Sequence, residues 1–581
     1  MPVWTGIARE TTTMNTLPTE GQPPAKLPGL RAEHELLLLG SRISIDSTDA
    51  ARIEHLLHSP LDWNVFLLAA SRNHVLGLVS SRLQATGSDA IPRETLDFLR
   101  DCSTRIMQRN HYLVGELKRI NSLFRANGIP ALPFGGPPQA AMAYQDASLP
   151  EIKNLEFVIG QRNTDLRNTD QRSIDQRDVL RARDLLLADG YRREYTWDAA
   201  REAAELRFRR VIGLDRSEDG VHVWLFCDLD PGSYSRPLKL QSLTPSTVSL
   251  DGESIATLNA EDALLHACVH ASGEALSPSL SLISAAAHLA SHLNGDAWER
   301  FLGRAGALGV RRKAVVILAL ARDLLGASYP EQIQSAIRSD REVPRLCAHV
   351  IGCLFSDMDY VPSMRKRAAL QLAARESRVD QARLLIRLAA LPTRDDWAMM
   401  PLPASAYYAL RPLRMLGRRV GMFRPRRLAV FMPTPIEIVE EMLALAGVGQ
   451  SDTVYDLGCG DGRIVISAAS RHGAHGVGVD LDPDRVAEAK ASARAAGVDH
   501  LVTFLQQNVM EVDISSASVV LLFLSPQANL MLRARLNQEL PPHARIVSRS
   551  HDMGDWVPLK TKLVACDGAL SRIHLWRVQR S

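Results

Sequence analysis

Between Val454 and Asp482 the chain reads VYDLGCGDGRIVISAASRHGAHGVGVDLD, and that order of apolar runs and glycines leaves few folds open. Thr453 to Leu457 is a short apolar run of the kind a strand buried on both faces produces. Ile464, Ile466, Ala468 and Ala469 carry helical spacing after Arg463, and Val477 to Leu481 forms a second buried strand. Strand, glycine turn, helix, strand is the unit from which parallel sheets are built.

The turn itself says what such a unit is for. Gly458, Gly460 and Gly462 lack a Cβ, so the backbone can take left-handed angles and approach a ligand closely. The free amides of the turn point out of a helix N-terminus, which in a dinucleotide fold holds a pyrophosphate. Here Asp456 precedes the glycines and Asp461 sits between them. Two carboxylates repel a phosphate, but they suit the ammonium of an amino-acid tail and a neighbouring sulfonium. Asp480, closing the second strand, stands where an acid accepts both hydroxyls of a ribose. A glycine turn alone is also met as a plain turn. Strand context, preceding acid, following helix and closing acid together point to an adenosyl cofactor.

On these residues the chain resembles the class I S-adenosylmethionine-dependent methyltransferases. PTPIEIVEEMLALAGV (433–448) upstream, then VTFLQQNVME, SASVVLLFLSP, ARIVSRS and DMGDW downstream, follow the order of one subgroup, the protein-lysine methyltransferases acting on ATP synthase c-subunit or the adenine nucleotide carrier. The resemblance spans about residues 429–581 and implies a Rossmann-like, seven-stranded sheet closed by an antiparallel hairpin in TKLVACDGALSRIHLWRVQ. It implies S-adenosyl-L-methionine as cofactor and a protein lysine as acceptor. Carried over by position, Asp456, Gly458, Gly460 and Gly462 line the methionine end and Asp480 holds the ribose. Asn508 stands where an acid often reads the adenine amino group, and its amide oxygen still accepts there. Cys459 and Asp461 complete the cofactor set, Cys459 as a small turn residue rather than a nucleophile. LFLSPQANL contains no Asn-Pro-Pro-aromatic clamp, which argues against methylation of adenine's exocyclic amine and leaves no evident general base. His551, Asp555, Trp556 and Ser548, near the end of the fifth strand, are candidates to receive a proton or attract a lysine ammonium, and are equally read as ordinary loop residues.

At 581 residues the chain is too long for one core. Its net charge of +3 is too small to imply nucleic acid. No apolar stretch reaches the length of a membrane span; Ala314 to Ala321 comes nearest, and Arg322 ends it. Seven cysteines, odd in number and without CxxC spacing, point to free buried thiols in a reducing cytoplasm. Residues 1–30, rich in Pro and Thr, read as a disordered tail or as an extension upstream of a start near Met14.

The larger part, 31–395, reads as helices to about Leu117, then a strand in GIPALPFGG, a helix, a strand in NLEFVIG, a polar near-repeat from Gln161 to Asp178 taken as a solvated loop, a helix ending in LLLADGYRREY, a strand VHVWLFCDLD and a helical tract from Ala260 to Leu391. This order resembles the uncharacterised nucleotidyltransferases of polymerase-beta type, an α+β domain with helical flanks. That family carries a Lys-Gly pair after its first strand and two metal-binding acids on its second. Here Phe134 precedes Gly135, and the acid pair has become Asn154 and Glu156. Glu156 alone, or with Asp228 or Asp230, is the remaining magnesium candidate. The loss of one carboxylate favours a degenerate binding domain. His266, Cys268 and His270 form an HxCxH string in which only the histidines share a helix face, so packing outweighs metal binding.

Residues 396–428, with seven arginines from Arg411 to Arg427, read as a linker. It is a contact for an anionic surface such as nucleic acid or phospholipid headgroups or, as the single aromatic Phe423 within the basic cluster favours, a solvated connector. The expectation is a two-part α/β methyltransferase with its catalytic domain at 429–581. The alternatives are an active nucleotidyltransferase and a non-catalytic adaptor.

Overall fold

A computed structural model describes residues 30–578 apart from 87–88, 161–170, 194–197, 217–218, 230–242, 274–275, 356–363, 391–432 and 567–568. The N-terminal tail, the Arg-rich linker, Asp230 and the first part of the near-repeat lie outside the described residues.

Helices dominate the first half. Asp62 caps α1 (Trp63–Arg72), its carboxylate accepting from Asn64 and Val65 amides. LDWNVFLLAASRNHVLGLVSSRL, expected as one helical segment, breaks at His74, which is left-handed at φ 54, before helix resumes at Leu76. The long α2 (Arg93–Ala126) leads into β1 (Ala131–Pro133), α3 (Pro137–Tyr144) and β2 (Asn154–Ile159). Next, α4 (Gln171–Ala188) begins inside the near-repeat, which corrects the loop expected through Asp178. Val179, Ala182 and Leu186 are all fully buried at helical spacing, and their packing carries the helix back through the preceding turns. The strands β3 (Arg192–Arg193), β4 (Val211–Arg216) and β5 (Val221–Phe226) complete a sheet ordered β1-β2-β5-β4-β3. A separate hairpin, β6 (Pro245–Leu250) with β7 (Glu253–Leu258), precedes α5 (Ala260–Ser272), and helices continue to Ala390.

The second half is a layered α/β domain. Ile438, Val439, Met442, Leu443 and Ala446 make one buried stripe on α6 (Ile436–Ala446), and Gly447, at φ 63, ends it. After α6 come β8 (Thr453–Leu457), α7 (Arg463–His472), β9 (His475–Asp480), α8 (Pro483–Ala495), β10 (Val502–Gln506), β11 (Val519–Leu522), α9 (Pro526–Glu539), β12 (Arg545–Arg549), β13 (Lys560–Cys566) and β14 (Ala569–Arg577). The sheet order is β10-β9-β8-β11-β12-β14-β13, parallel through the first five strands and antiparallel in the closing hairpin. Order reverses between β9 and β11 around β8, and in open sheets that switch point opens a crevice at the carboxyl ends. This is the class I methyltransferase layout that the sequence implies. The tip of the closing hairpin reaches the helical half, where the Leu570 amide donates to Ser71 Oγ on α1 at 2.7 Å.

Candidate functional site

The glycine turn lies at that switch point, and each of its residues has a distinct reason to be there. Gly458 and Gly462 have φ of 98° and 80°. A Cβ on Gly458 would stand 2.7 Å from Leu524, and one on Gly462 would stand 2.6 Å from the Phe504 ring. Gly462 therefore serves the packing of α7 against β10 and α8 as much as any ligand. Cys459 is 4% exposed; its amide donates to the Val479 carbonyl, and burial with three nearby carboxylates raises its thiol pKa. It is a buried thiol, as expected of a turn residue.

The three acids are held in three different ways. Asp480 closes β9 and accepts the Gly460 amide on one oxygen and the Asp482 amide on the other, both at 2.9 Å. It thus fixes the turn, and each oxygen retains a second lone pair for a ribose hydroxyl. Asp461 pairs with the Arg463 guanidinium at 2.6 Å, and Arg463 also donates to the Thr434 carbonyl, tying the PTP segment to the turn. Asp456 is 2% exposed, and its Oδ2 has no hydrogen-bond partner. Burial first, then the charges of Asp480 and Asp461, push its carboxyl up to about 8. Both effects favour the neutral carboxyl over the carboxylate in the ligand-free protein. A buried, unsatisfied carboxyl next to an amide-rich turn fits the ammonium and sulfonium end of S-adenosylmethionine.

The remaining candidates are less uniform. Asn508 follows β10; its oxygen accepts the Met510 amide at 3.0 Å and its nitrogen donates to Glu511 at 3.3 Å, so its side chain shapes the local turn. Asp555 is exposed and ion-paired to Arg533, which neutralises the charge expected to draw in an ammonium. Trp556 is half-buried and accepts the indole N–H of Trp576 on its carbonyl at 2.6 Å. His551 follows Ser550, which is left-handed at φ 65. The loop that holds them is stapled from α9. Asn529, fully buried, donates to Ser548 Oγ at 3.0 Å and to the His551 carbonyl at 3.2 Å, and Arg533 donates to the Met553 carbonyl at 2.9 Å. Sequence reasoning missed Asn529, Arg533 and Arg463. Arg463 alone had a local signal, as the residue completing DGR.

In the first half the candidate magnesium position is crowded by packing. Phe134 packs edge-on to Phe226 and His266, with ring centroids 5.5 and 5.0 Å away. A Cβ on Gly135 would lie 2.0 Å from the Glu156 carboxylate, so that acid already rests against the turn. Glu156 lies opposite Trp224 on β5, and Asp228 comes in a bend two residues after that strand ends at Phe226. Asp228 is buried and paired with Arg210. Asp228 is thus already engaged by a guanidinium. Among the described residues no three His, Cys, Asp or Glu gather at one point. His266 and His270 stack at 5.5 Å while Cys268 is fully buried, which is the packing arrangement expected of that string.

Residues 456–560 match the ANTKMT methyltransferase domain, and residues 59–170 and 173–326 match an uncharacterised nucleotidyltransferase family. A protein-lysine N-methyltransferase of Saccharolobus islandicus is 43% identical over 129 residues, 22% of this chain and 80% of that protein. The mouse adenine nucleotide translocase lysine N-methyltransferase is 32% identical over 136 residues, 23% of this chain and 59% of its own length. The human lysine N-methyltransferase of the ATP synthase c-subunit is 32% identical over 128 residues, 22% of this chain and 54% of its own. The chain therefore spans little more than half of those two relatives. A crystal structure of an RNA methyltransferase from Salinibacter ruber in complex with S-adenosyl-L-homocysteine is 46% identical, covering 26% of this chain and 95% of that one, with a TM-score of 0.25.

Proposed function

The chain belongs, through its C-terminal domain, to the protein-lysine N-methyltransferase family and is an S-adenosylmethionine-dependent methyltransferase, and from that premise we propose that it methylates a lysine side chain of a protein. When bound, S-adenosylmethionine supplies a methyl group already activated on a sulfonium. What the chain adds is binding, orientation and exclusion of water. Asp456 and the amides of the turn hold the amino-acid end, Asp480 the ribose, and Asn508 and its loop flank the base. The acceptor enters over the loop Ser548–Trp556, which α9 holds in one geometry.

The observation that carries this reading is the buried, unpartnered Asp456 oxygen facing the glycine turn. The lysine acceptor is supported by likeness to lysine methyltransferases across most of one relative's length. Among the described residues no helix is long and apolar enough to cross a membrane. We assign residues 429–581 as the catalytic domain, 396–428 as linker, and 31–395 as a binding module whose nucleotidyltransferase-like site is closed. The test is incubation of the full chain with methyl-labelled S-adenosylmethionine and a lysate, followed by mass spectrometry. Label on protein lysines is the expected result. Label in nucleic acid, with none in protein, overturns the acceptor assignment while leaving the methyltransferase assignment standing.

A further inference from the structure

Arg549 ends β12 at the carboxyl rim of the sheet, in an environment unlike that of the other arginines of this domain described above. Its guanidinium lies over the Phe523 ring at 4.2 Å, and Nη1 is buried without a hydrogen-bond partner. Its one side-chain hydrogen bond is a long one, from Nε to Ser571 Oγ at 3.4 Å. No carboxylate pairs with it among the described residues. Arg463 has Asp461, Arg533 has Asp555, Arg535 has Glu539 and Arg545 has Asp452. Glu437, on the first turn of α6, accepts from the Cys566 thiol rather than from Arg549. Burial pulls the guanidinium down to about 10. The residue as a whole is half-buried, but a buried cationic N–H without an acceptor is disfavoured unless an anion comes to it.

Its position says where that anion comes from. Asp456 is aligned with Leu521, and Leu521 with Val547, so the three share one face of the sheet, the face packed by α6. Arg549, the last residue of β12, lies two residues beyond Val547 on that face, and Phe523, one residue past the end of β11, lies under its guanidinium. Arg549 therefore stands across one intervening strand from the glycine turn, at the rim where cofactor and acceptor meet. A guanidinium presents a planar fork that matches a carboxylate in two parallel hydrogen bonds.

Resting on the methyltransferase reading above, we propose that Arg549 is a carboxylate-binding residue of this site, completed only when a ligand carboxylate docks against its buried guanidinium edge. Two sources share that chemistry: the α-carboxylate of the cofactor, and an acidic side chain beside the target lysine. The test uses the full chain and its Arg549→Met and Arg549→Lys variants. Affinity is measured calorimetrically for S-adenosylhomocysteine and for its decarboxylated analogue, and KM for lysine peptides with a neighbouring Glu or, in its place, Gln. If the cofactor supplies the carboxylate, Arg549→Met weakens S-adenosylhomocysteine on the order of ten- to a hundredfold and leaves the decarboxylated analogue unchanged. If the acceptor supplies it, both nucleosides bind as before, and KM rises by a similar factor for the Glu peptide alone. Arg549→Lys, which keeps the charge without the fork, falls between wild type and Arg549→Met in either case. Equal loss of both nucleosides, or no discrimination in either comparison, overturns the proposal. A folded wild type that binds neither nucleoside sinks the methyltransferase reading itself, and the proposal with it.

Discussion

Two sheets in this chain carry the same local device, a strand running into a glycine turn that opens a helix, and they treat charge in opposite ways. At the end of β1 the turn is filled from inside: Phe134 is packed by two rings, Glu156 rests on Gly135, and Asp228 is neutralised by Arg210. At the end of β8 the turn is left unfilled: Asp456 keeps a buried oxygen without a partner, and Arg549 keeps a buried N–H without one. Such groups are costly to leave bare, and a docking ligand is one way to satisfy them. Buried acidic and basic groups without an ion pair, on one sheet face, are thus what distinguishes the second turn from the first, where Asp228 also has an unpartnered oxygen but is paired with Arg210.

The sharpest way to break that contrast is to remove the unsatisfied acid. Asp456→Asn keeps the shape and removes the ionisable group, so S-adenosylhomocysteine affinity should fall on the order of a hundredfold or more. Stability of the ligand-free protein should move the other way. Asp456 titrates about 8 in the fold against an ordinary value of 3.8. Its contribution is therefore complete below about pH 4 and is lost as pH rises through the folded value. Thermal melts from pH 5 to 9 should show wild type losing stability relative to Asp456→Asn up to about pH 8, with a Tm difference of about 3 °C or more at the alkaline end. Parallel pH profiles for the two proteins, with cofactor affinity retained, would falsify the claim that this carboxyl waits for a cation. Next in size is Gly462→Ala, which puts a Cβ against Phe504 at a φ of 80°. It should cost about 2–4 kcal/mol in denaturant melts of the C-terminal transition. A cost below about 1 kcal/mol would mean that α7 is free to shift and the turn is not held rigid.

Much of this second site is legible in the sequence because its determinants are local. The bounds of β8 and the start of α7 follow from apolar period, and the glycines and acids stand within one short segment of chain. What is not legible is which acids are already spoken for. Asp461 and Asp456 look alike in the sequence, yet Arg463 folds back on the first while the second faces inward, and only the packed sheet decides that. Asn529 reads, within LFLSPQANL, as part of a missing clamp. Its role appears when α9 meets a loop some twenty residues further on. In the first half, β3 is only two arginines and gives no period, while β4 (VIGLDR) is apolar at its start but buries Val211, Ile212 and Leu214 without clean alternation. The β6–β7 hairpin does leave a signal, Asp251-Gly252, whose φ values of 45° and 78° belong to a tight hairpin turn.

The staple from α9 tests whether the site's geometry, and not only its charge, is held for the acceptor. Asn529→Ala removes the donor that binds Ser548 and the His551 carbonyl. It lies away from the turn, so S-adenosylhomocysteine should bind within about twofold of wild type, while kcat falls about tenfold or more as the loop loses its fixed position. Equal losses in binding and turnover would place Asn529 in general support of the fold and take the loop out of the acceptor site.

The smallest effect belongs to the other sheet, and it is the one the contrast most needs. If the β1 turn is closed, Glu156→Gln should leave methyl transfer unchanged and shift stability by no more than about 1 kcal/mol. Wild type should show no magnesium-dependent turnover of nucleoside triphosphates for the substitution to remove. Glu156 faces Trp224, Asp228 is already paired with Arg210, and among the described residues no three metal-binding side chains gather at one point. Triphosphate turnover that needs magnesium and disappears in Glu156→Gln would show that a second ligand reaches Glu156 from residues such as Asp230. The two turns would then both be sites, and buried groups without an ion pair would cease to tell them apart.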